Sequence, residues 1–140
     1  MSNTLDKKDV QDFMKRLRIH YKRNHNVDNI RYYLAGEYGS KTERAHYHAI
    51  MFNLPIADLK KEKVSGSGNV LYTSKELNKI WGKGYVWIGE VTWNSASYVA
   101  RYVMKKHYGK EAEQYYRSKG KEPEFVCMSA ATGISAMPGK

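Results

Sequence analysis

Two short motifs in this chain have the residue types and spacing for chemistry. The first is His46-Tyr47-His48, with Glu37 nine residues before His46. On a strand, His46 and His48 point to the same side, and a carboxylate on the adjoining strand can join them around one divalent cation. One oxygen and two nitrogen ligands leave positions open for phosphate oxygens. An isolated His-x-His often does no more than decorate a strand, so the acid on the partner strand is what favours a metal. Mg²⁺ or Mn²⁺ suits an open carboxylate site for phosphate chemistry, with Zn²⁺ as the fallback for two imidazoles.

The second motif is Tyr98 and Tyr102, one helical turn apart within Ser97-Tyr98-Val99-Ala100-Arg101-Tyr102-Val103-Met104-Lys105-Lys106. A phenol with an ordinary pKa of about 10 needs help to act as a nucleophile at neutral pH. Arg101, Lys105 and Lys106 can give that help by favouring the phenolate or by holding the scissile phosphate. In a chain with 12 tyrosines, a pair of them usually serves packing. At roughly 100° per residue, however, Ala96, Val99, Ala100, Val103 and His107 fall on one side, and Tyr98, Arg101, Tyr102 and Lys105 on the other. The tyrosines therefore lie opposite the core side, beside cations. A metal with paired phenols suggests cleavage of a phosphodiester through a covalent tyrosine adduct.

These motifs need a sheet and helices to position them. Val10, Phe13, Met14, Leu17 and Tyr21 recur at helical spacing, predicting an amphipathic helix from about Asp6 to Arg23 and a turn over Asn24 to Asn29. Its outer face carries Lys15, Arg16 and Arg18, which with Arg44 are candidate DNA contacts, although a solvated helix face is the commoner meaning of such charges. Ile30 to Glu37 and His46 to Asn53 read as an antiparallel hairpin, with Pro55 ending the second strand. Lys60 to Asn69 reads as a mobile surface loop. Thr73 and Glu76 form a capping box for a short helix through Trp81, followed by a strand from Tyr85 to Thr92. Asn94 or Ser95 can cap the helix that carries the tyrosines, which runs to about His107. A short helix over Glu111 to Ser118 and a strand over Glu124 to Met128 complete the order, with flexible ends at 1–5 and 130–140. Trp81, Trp87, Trp93 and Tyr85 can stack on bases, but core packing is the commoner use. His20, His25 and His107 show no partner pattern, and His107 suits a helix end or core edge.

The 140 residues fit one compact domain. With 24 Lys and Arg against 14 Asp and Glu, the formal charge of +10 favours a polyanionic partner. Cys127 is the only cysteine, which excludes an internal disulfide and a thiolate-rich metal site and gives an intracellular reading. No apolar run suits a membrane span, and no phosphate-binding glycine loop for nucleotide hydrolysis is present.

The chain resembles the HUH endonucleases, and within them the replication initiators of microvirus-type single-stranded DNA phages. The resemblance rests on Phe13 to Arg18, Tyr32 to Gly39, Ala45 to Phe52, Tyr98 to Lys106 and Pro123 to Ser129, and on histidines preceding tyrosines. It implies an α+β fold, a central antiparallel β-sheet with flanking helices related to RRM and ferredoxin-like domains. It matches Glu37, His46 and His48 to the metal ligands and Tyr98 and Tyr102 to the two-tyrosine motif. Arg101 stands where many relatives have lysine, which keeps the charge but changes the hydrogen-bond geometry. The family's usual first strand has no counterpart ahead of the first helix: either the chain is truncated and lacks it, or another segment or a second copy fills that place, the latter giving a dimer.

The resemblance implies a metal-dependent, site-specific single-stranded DNA nickase that starts rolling-circle replication in the cytoplasm of a bacterial host. Its partners would be a single-stranded replication origin and host replication proteins. Two alternatives are a single-strand transposase or mobilisation nickase, and a non-catalytic DNA-binding module.

Overall fold

A computed structural model describes residues 4–39, 44–93, 96–97 and 110–129. Helix α1 (Lys7–His25) starts where Asp6 accepts from the backbone N–H groups of Lys8 and Asp9, and ends at Asn26 in the left-handed conformation. It therefore runs two residues past the expected end at Arg23, because Asn26 supplies the positive φ that stops it. Val10, Met14, Leu17 and Tyr21 form its buried stripe, as the periodicity required. Leu5 is fully buried just ahead of the helix, so the expected flexible start does not extend to it.

Strands β1 (Arg31–Tyr38) and β2 (Ala45–Phe52) form the expected antiparallel hairpin, and β5 (Phe125–Met128) pairs antiparallel with the other edge of β1. The three-stranded sheet has the order β2-β1-β5, and with the helices it makes an α+β fold. Residues opposite one another in register share a face. Tyr32 and Met51 are such a pair, and both pack with Met14, Leu17, Tyr21, Ile30 and Leu77 in the core between sheet and helices. Burial of side chains such as Leu17 contributes roughly 1.5–3 kcal/mol each.

Three expectations from the sequence are corrected between residues 60 and 92. The expected loop begins instead with strand β3 (Lys60–Val64), which pairs with β4 (Val70–Thr73) around a tight turn at Ser65 to Asn69. Every residue of β3 is exposed, so its charged sequence lacks the alternation that marks a half-buried strand. Helix α2 (Lys75–Trp81) is capped by Ser74, whose hydroxyl accepts from the Leu77 N–H, and not by Thr73. Asp58 accepts from the Glu76 N–H, and the Glu76 side chain turns to His20 and His25 of α1. The segment expected as a strand from Tyr85 to Thr92 makes one bridge, Ile88 to Tyr72.

Trp93, Ala96 and Ser97 are helical, and the Ala96 N–H donates to the Thr92 carbonyl at 2.9 Å. The expected caps Asn94 and Ser95 lie outside the described residues, as do His107 and the ends at 1–3 and 130–140. Helix α3 (Lys110–Ser118) matches the expected short helix. No described helix is long and apolar enough to cross a membrane.

Candidate metal centre

The hairpin register sets Glu37 opposite His46 and Ala35 opposite His48. Alternation then sends Glu37, His46 and His48 to one face of the sheet, away from the face that carries Tyr32 and Met51 onto α1. Glu37 is 3% exposed, and its Oε1 lies 3.1 Å from His48 Nε2. His46 is exposed, and its ring centroid is 6.5 Å from that of His48. The three predicted ligands thus share a face, with Glu37 and His48 in contact and His46 set apart from them. Burial pushes His48 below its ordinary pKa, which favours the neutral imidazole that a metal ligand must be. One buried carboxylate and two imidazoles on a single face fit a divalent cation chemically.

The opposite face locks these strands in place. Tyr47, between the histidines, accepts a 2.8 Å hydrogen bond from the backbone N–H of Asp6, the α1 cap, and its ring meets Trp81 edge-on. Gly36 lets the Phe125 ring approach closely: a Cβ there would stand 2.6 Å from a ring carbon. The hydroxyl of Tyr38 donates to the Glu122 carbonyl at 2.6 Å and accepts from the Leu5 N–H at 3.1 Å. The Tyr38 N–H donates to Glu124 Oε2 at 2.9 Å, and the Tyr116 hydroxyl donates to Glu124 Oε1 at 2.8 Å. Glu37 is therefore flanked along the chain by two tightly held residues.

The predicted catalytic group of Tyr98, Arg101, Tyr102, Lys105 and Lys106 lies outside the described residues. Among the described tyrosines, Tyr21, Tyr32, Tyr33, Tyr47 and Tyr116 are all pushed above the ordinary phenol pKa by burial, with Glu76 adding to the effect at Tyr21 and Glu124 at Tyr116. That is the opposite of what a nucleophile needs.

The predicted DNA contacts divide into two kinds. Arg16 donates from Nε and Nη2 to the Ile80 carbonyl at 3.0 and 2.9 Å, joining α1 to the C-terminal end of α2. Arg18 donates to the Ile30 carbonyl at 3.1 Å and lies over the Tyr32 ring. All four are exposed, but the Arg16 and Arg18 guanidiniums also tie elements of the fold together.

The sequence reading missed a second cluster. His20 Nε2 and His25 Nε2 lie 2.7 and 2.9 Å from Glu76 Oε2, and the Tyr21 hydroxyl donates to Glu76 Oε1 at 3.3 Å. The three ligand atoms of His20, His25 and Glu76 are close enough to hold a cation. Hydrogen bonding at His20 argues for a staple between helices instead. The Asn24 amide donates to the His20 carbonyl at 2.9 Å, and the same NH₂ group faces His20 Nδ1 at 3.2 Å. His20 is thus engaged at both ring nitrogens, by Asn24 at Nδ1 and by Glu76 at Nε2, and with His25 it ties α1 to α2.

The chain was compared with known proteins. A family model described as replication-associated protein ORF2 matches residues 1–107. The replication-associated protein ORF2 of Spiroplasma virus 4 is 39% identical over 125 residues, which is 89% of this chain and 38% of that protein. The replication-associated protein VP4 of Bdellovibrio phage phiMH2K is 43% identical over 101 residues, 70% of this chain and 32% of that protein. The replication-associated protein ORF4 of Chlamydia phage 1 is 39% identical over 108 residues, 74% of this chain and 27% of that protein. No solved structure matches. The chain belongs to the ORF2 family of phage replication-associated proteins, and it spans about a third of the length of the curated relatives it matches.

Proposed function

We propose that this chain carries the nicking centre of a phage replication initiator, a metal-dependent endonuclease of the HUH type acting on single-stranded DNA in the host cytoplasm. The observation that carries the reading is the hairpin register, which puts Glu37, His46 and His48 on one face with Glu37 against His48. Glu37, His46 and His48 would hold Mg²⁺ or Mn²⁺, which when bound polarises the scissile phosphate and neutralises its charge. Burial keeps the Glu37 carboxylate and the His48 ring in place on the sheet, and His46, exposed at the rim, completes the set from the same strand.

Tyr98 or Tyr102 supplies the nucleophile. Its phenolate oxygen attacks phosphorus in line, a phosphotyrosine bond forms to the 5′ side, and the bond to the 3′ oxygen breaks. That oxygen takes up a proton and leaves as the 3′-hydroxyl that primes synthesis. Arg101, Lys105 and Lys106 hold the phosphate and favour the phenolate. The second tyrosine can attack the regenerated junction after one round, joining the old strand as it cuts the new one. Membership of a replication-associated family favours a replication origin over a transposon end as the substrate.

The test is incubation of the chain with labelled origin single strand and Mn²⁺, followed by denaturing electrophoresis. A covalent protein–DNA band is expected, together with its loss when Tyr98 and Tyr102 are both changed to Phe. Binding without any adduct in the unaltered chain would overturn the enzyme reading and leave a DNA-binding module.

A further inference from the structure

The segment from Tyr85 to Gly89 is anchored at two points. The Val86 N–H donates to Asn78 Oδ1 of α2 at 2.7 Å, and Ile88 exchanges both backbone hydrogen bonds with Tyr72 of β4 at 2.8 and 2.9 Å. Ile88 packs on the core. Alternation then turns Tyr85 and Trp87 outward, where they are 75% and 47% exposed. Their rings stack, with centroids 6.2 Å apart and planes 29° from parallel. Lys63 Nζ of β3 stands 4.4 Å from the Trp87 ring centroid. Lys61 adds a second cation on the same exposed strand.

The core packing expected for Trp87 and Tyr85 is therefore not what the fold does with them. Two aligned aromatic rings are presented to solvent on an anchored backbone, with Lys63 beside them and Lys61 further along the same strand. Glu62 pairs with Lys60 at 3.8 Å and offsets its charge, while Glu90 is an exposed acid at the end of the anchored segment, so the cations that count here are Lys61 and Lys63.

We propose that Tyr85 and Trp87, with Lys63 and Lys61 of β3, form a stacking platform for unpaired bases, a second contact with single-stranded DNA besides the metal-bearing face. The ligand class rests on the nuclease reading above. Aromatic faces accept any unpaired base, and the lysines meet the phosphates between bases. A duplex, whose bases are already stacked, gains nothing from the rings. The platform thus discriminates single strands from duplex without reading sequence and holds the strand during nicking and joining.

The experiment measures fluorescence anisotropy of a labelled twenty-nucleotide oligothymidine, and of the same strand annealed to its complement, against the full chain. EDTA is present, so that cleavage plays no part. Tyr85→Ala with Trp87→Ala is expected to weaken single-strand binding about tenfold or more and duplex binding less than twofold. Tyr85→Phe with Trp87→Phe should keep single-strand affinity, and Lys63→Glu should weaken it. Circular dichroism and thermal unfolding confirm that each variant is folded.

Single-strand affinity within twofold of the unaltered chain in the double alanine variant would overturn the platform while leaving the nuclease reading intact. Equal losses on single strand and duplex would also overturn it, showing that the rings act only through structure. A concentration-dependent self-association abolished by the alanine pair, with DNA affinity unchanged, would assign the patch to a protein interface instead. Failure of the unaltered chain to bind single strands would overturn both proposals. Single-strand binding with the expected variant effects, but no covalent adduct in Mn²⁺, would overturn the nuclease reading alone.

Discussion

At the scale of single residues, Glu37 differs from its expected companions because the fold buries it while leaving His46 exposed. A buried carboxylate is costly unless partnered, and His48 Nε2 at 3.1 Å is a partner. Glu37→Gln keeps the shape but removes the charge that would hold a cation. We expect adduct formation in Mn²⁺ to fall by about a hundredfold or more, with single-strand affinity in EDTA unchanged. An active Gln variant would remove Glu37 from the metal site. Gly36 next to it makes a different kind of prediction. Its Cβ-free face admits the Phe125 ring, so Gly36→Ala must push that ring aside, at a cost of about 1–3 kcal/mol. Chemical denaturation would show the loss, and an unchanged midpoint would mean that the ring moves freely. The histidine pair and its acid were legible from spacing because strand alternation and hairpin pairing are local rules. The close approach of Phe125 to Gly36 was not, since it joins positions far apart in sequence.

At the scale of elements, helix α1 was readable from its hydrophobic period and the β1–β2 hairpin from two runs rich in Tyr, Ile and Phe around a polar connection. Strand β3 was not: all its residues are exposed, and its pairing is fixed by β4 rather than by any pattern of its own. The same limit hid the staple between α1 and α2, where His20 and His25 close the last turns of one helix onto Glu76 in the first turn of the other. Burial raises the Glu76 pKa, but the hydrogen bonds and charges of His20 and His25 outweigh it, and the net shift is downward. A carboxyl held low in the fold stabilises it above its unfolded pKa, and that stability is lost as pH falls through the lower folded value. Stability should therefore drop as pH falls from about 5 to 3, more steeply in the unaltered chain than in Glu76→Gln. At neutral pH the Gln variant should be weaker by about 1–2 kcal/mol, the range for hydrogen bonds to a partly exposed charged group. Thermal unfolding across that pH range checks both statements, and parallel pH curves for the two proteins would mean that Glu76 is not the titrating group.

At the scale of the whole molecule, the net charge of +10 was the plainest message of the composition, and the structure shows how that charge is divided. Arg16 and Arg18 each give guanidinium hydrogens to a backbone carbonyl while staying exposed, so part of their donor capacity is already committed within the fold. The exposed strand Lys60–Val64 offers more, and Lys15 and Arg44 add to it. If about four phosphates are neutralised, counterion release from a single strand gives a slope near −2.8 in log affinity against log salt. Affinity for an oligothymidine should then fall by roughly fiftyfold between 50 and 200 mM salt. Each substitution divides the charge further. Lys63→Glu should flatten the slope by at least one phosphate equivalent, about 0.7, because it removes a cation and adds an anion on the strand's path. Arg16→Gln should leave the slope almost unchanged while lowering the unfolding temperature, since its guanidinium donates from two nitrogens to the Ile80 carbonyl. A steep loss of slope on changing Arg16, with stability intact, would return the DNA path to the outer face of α1.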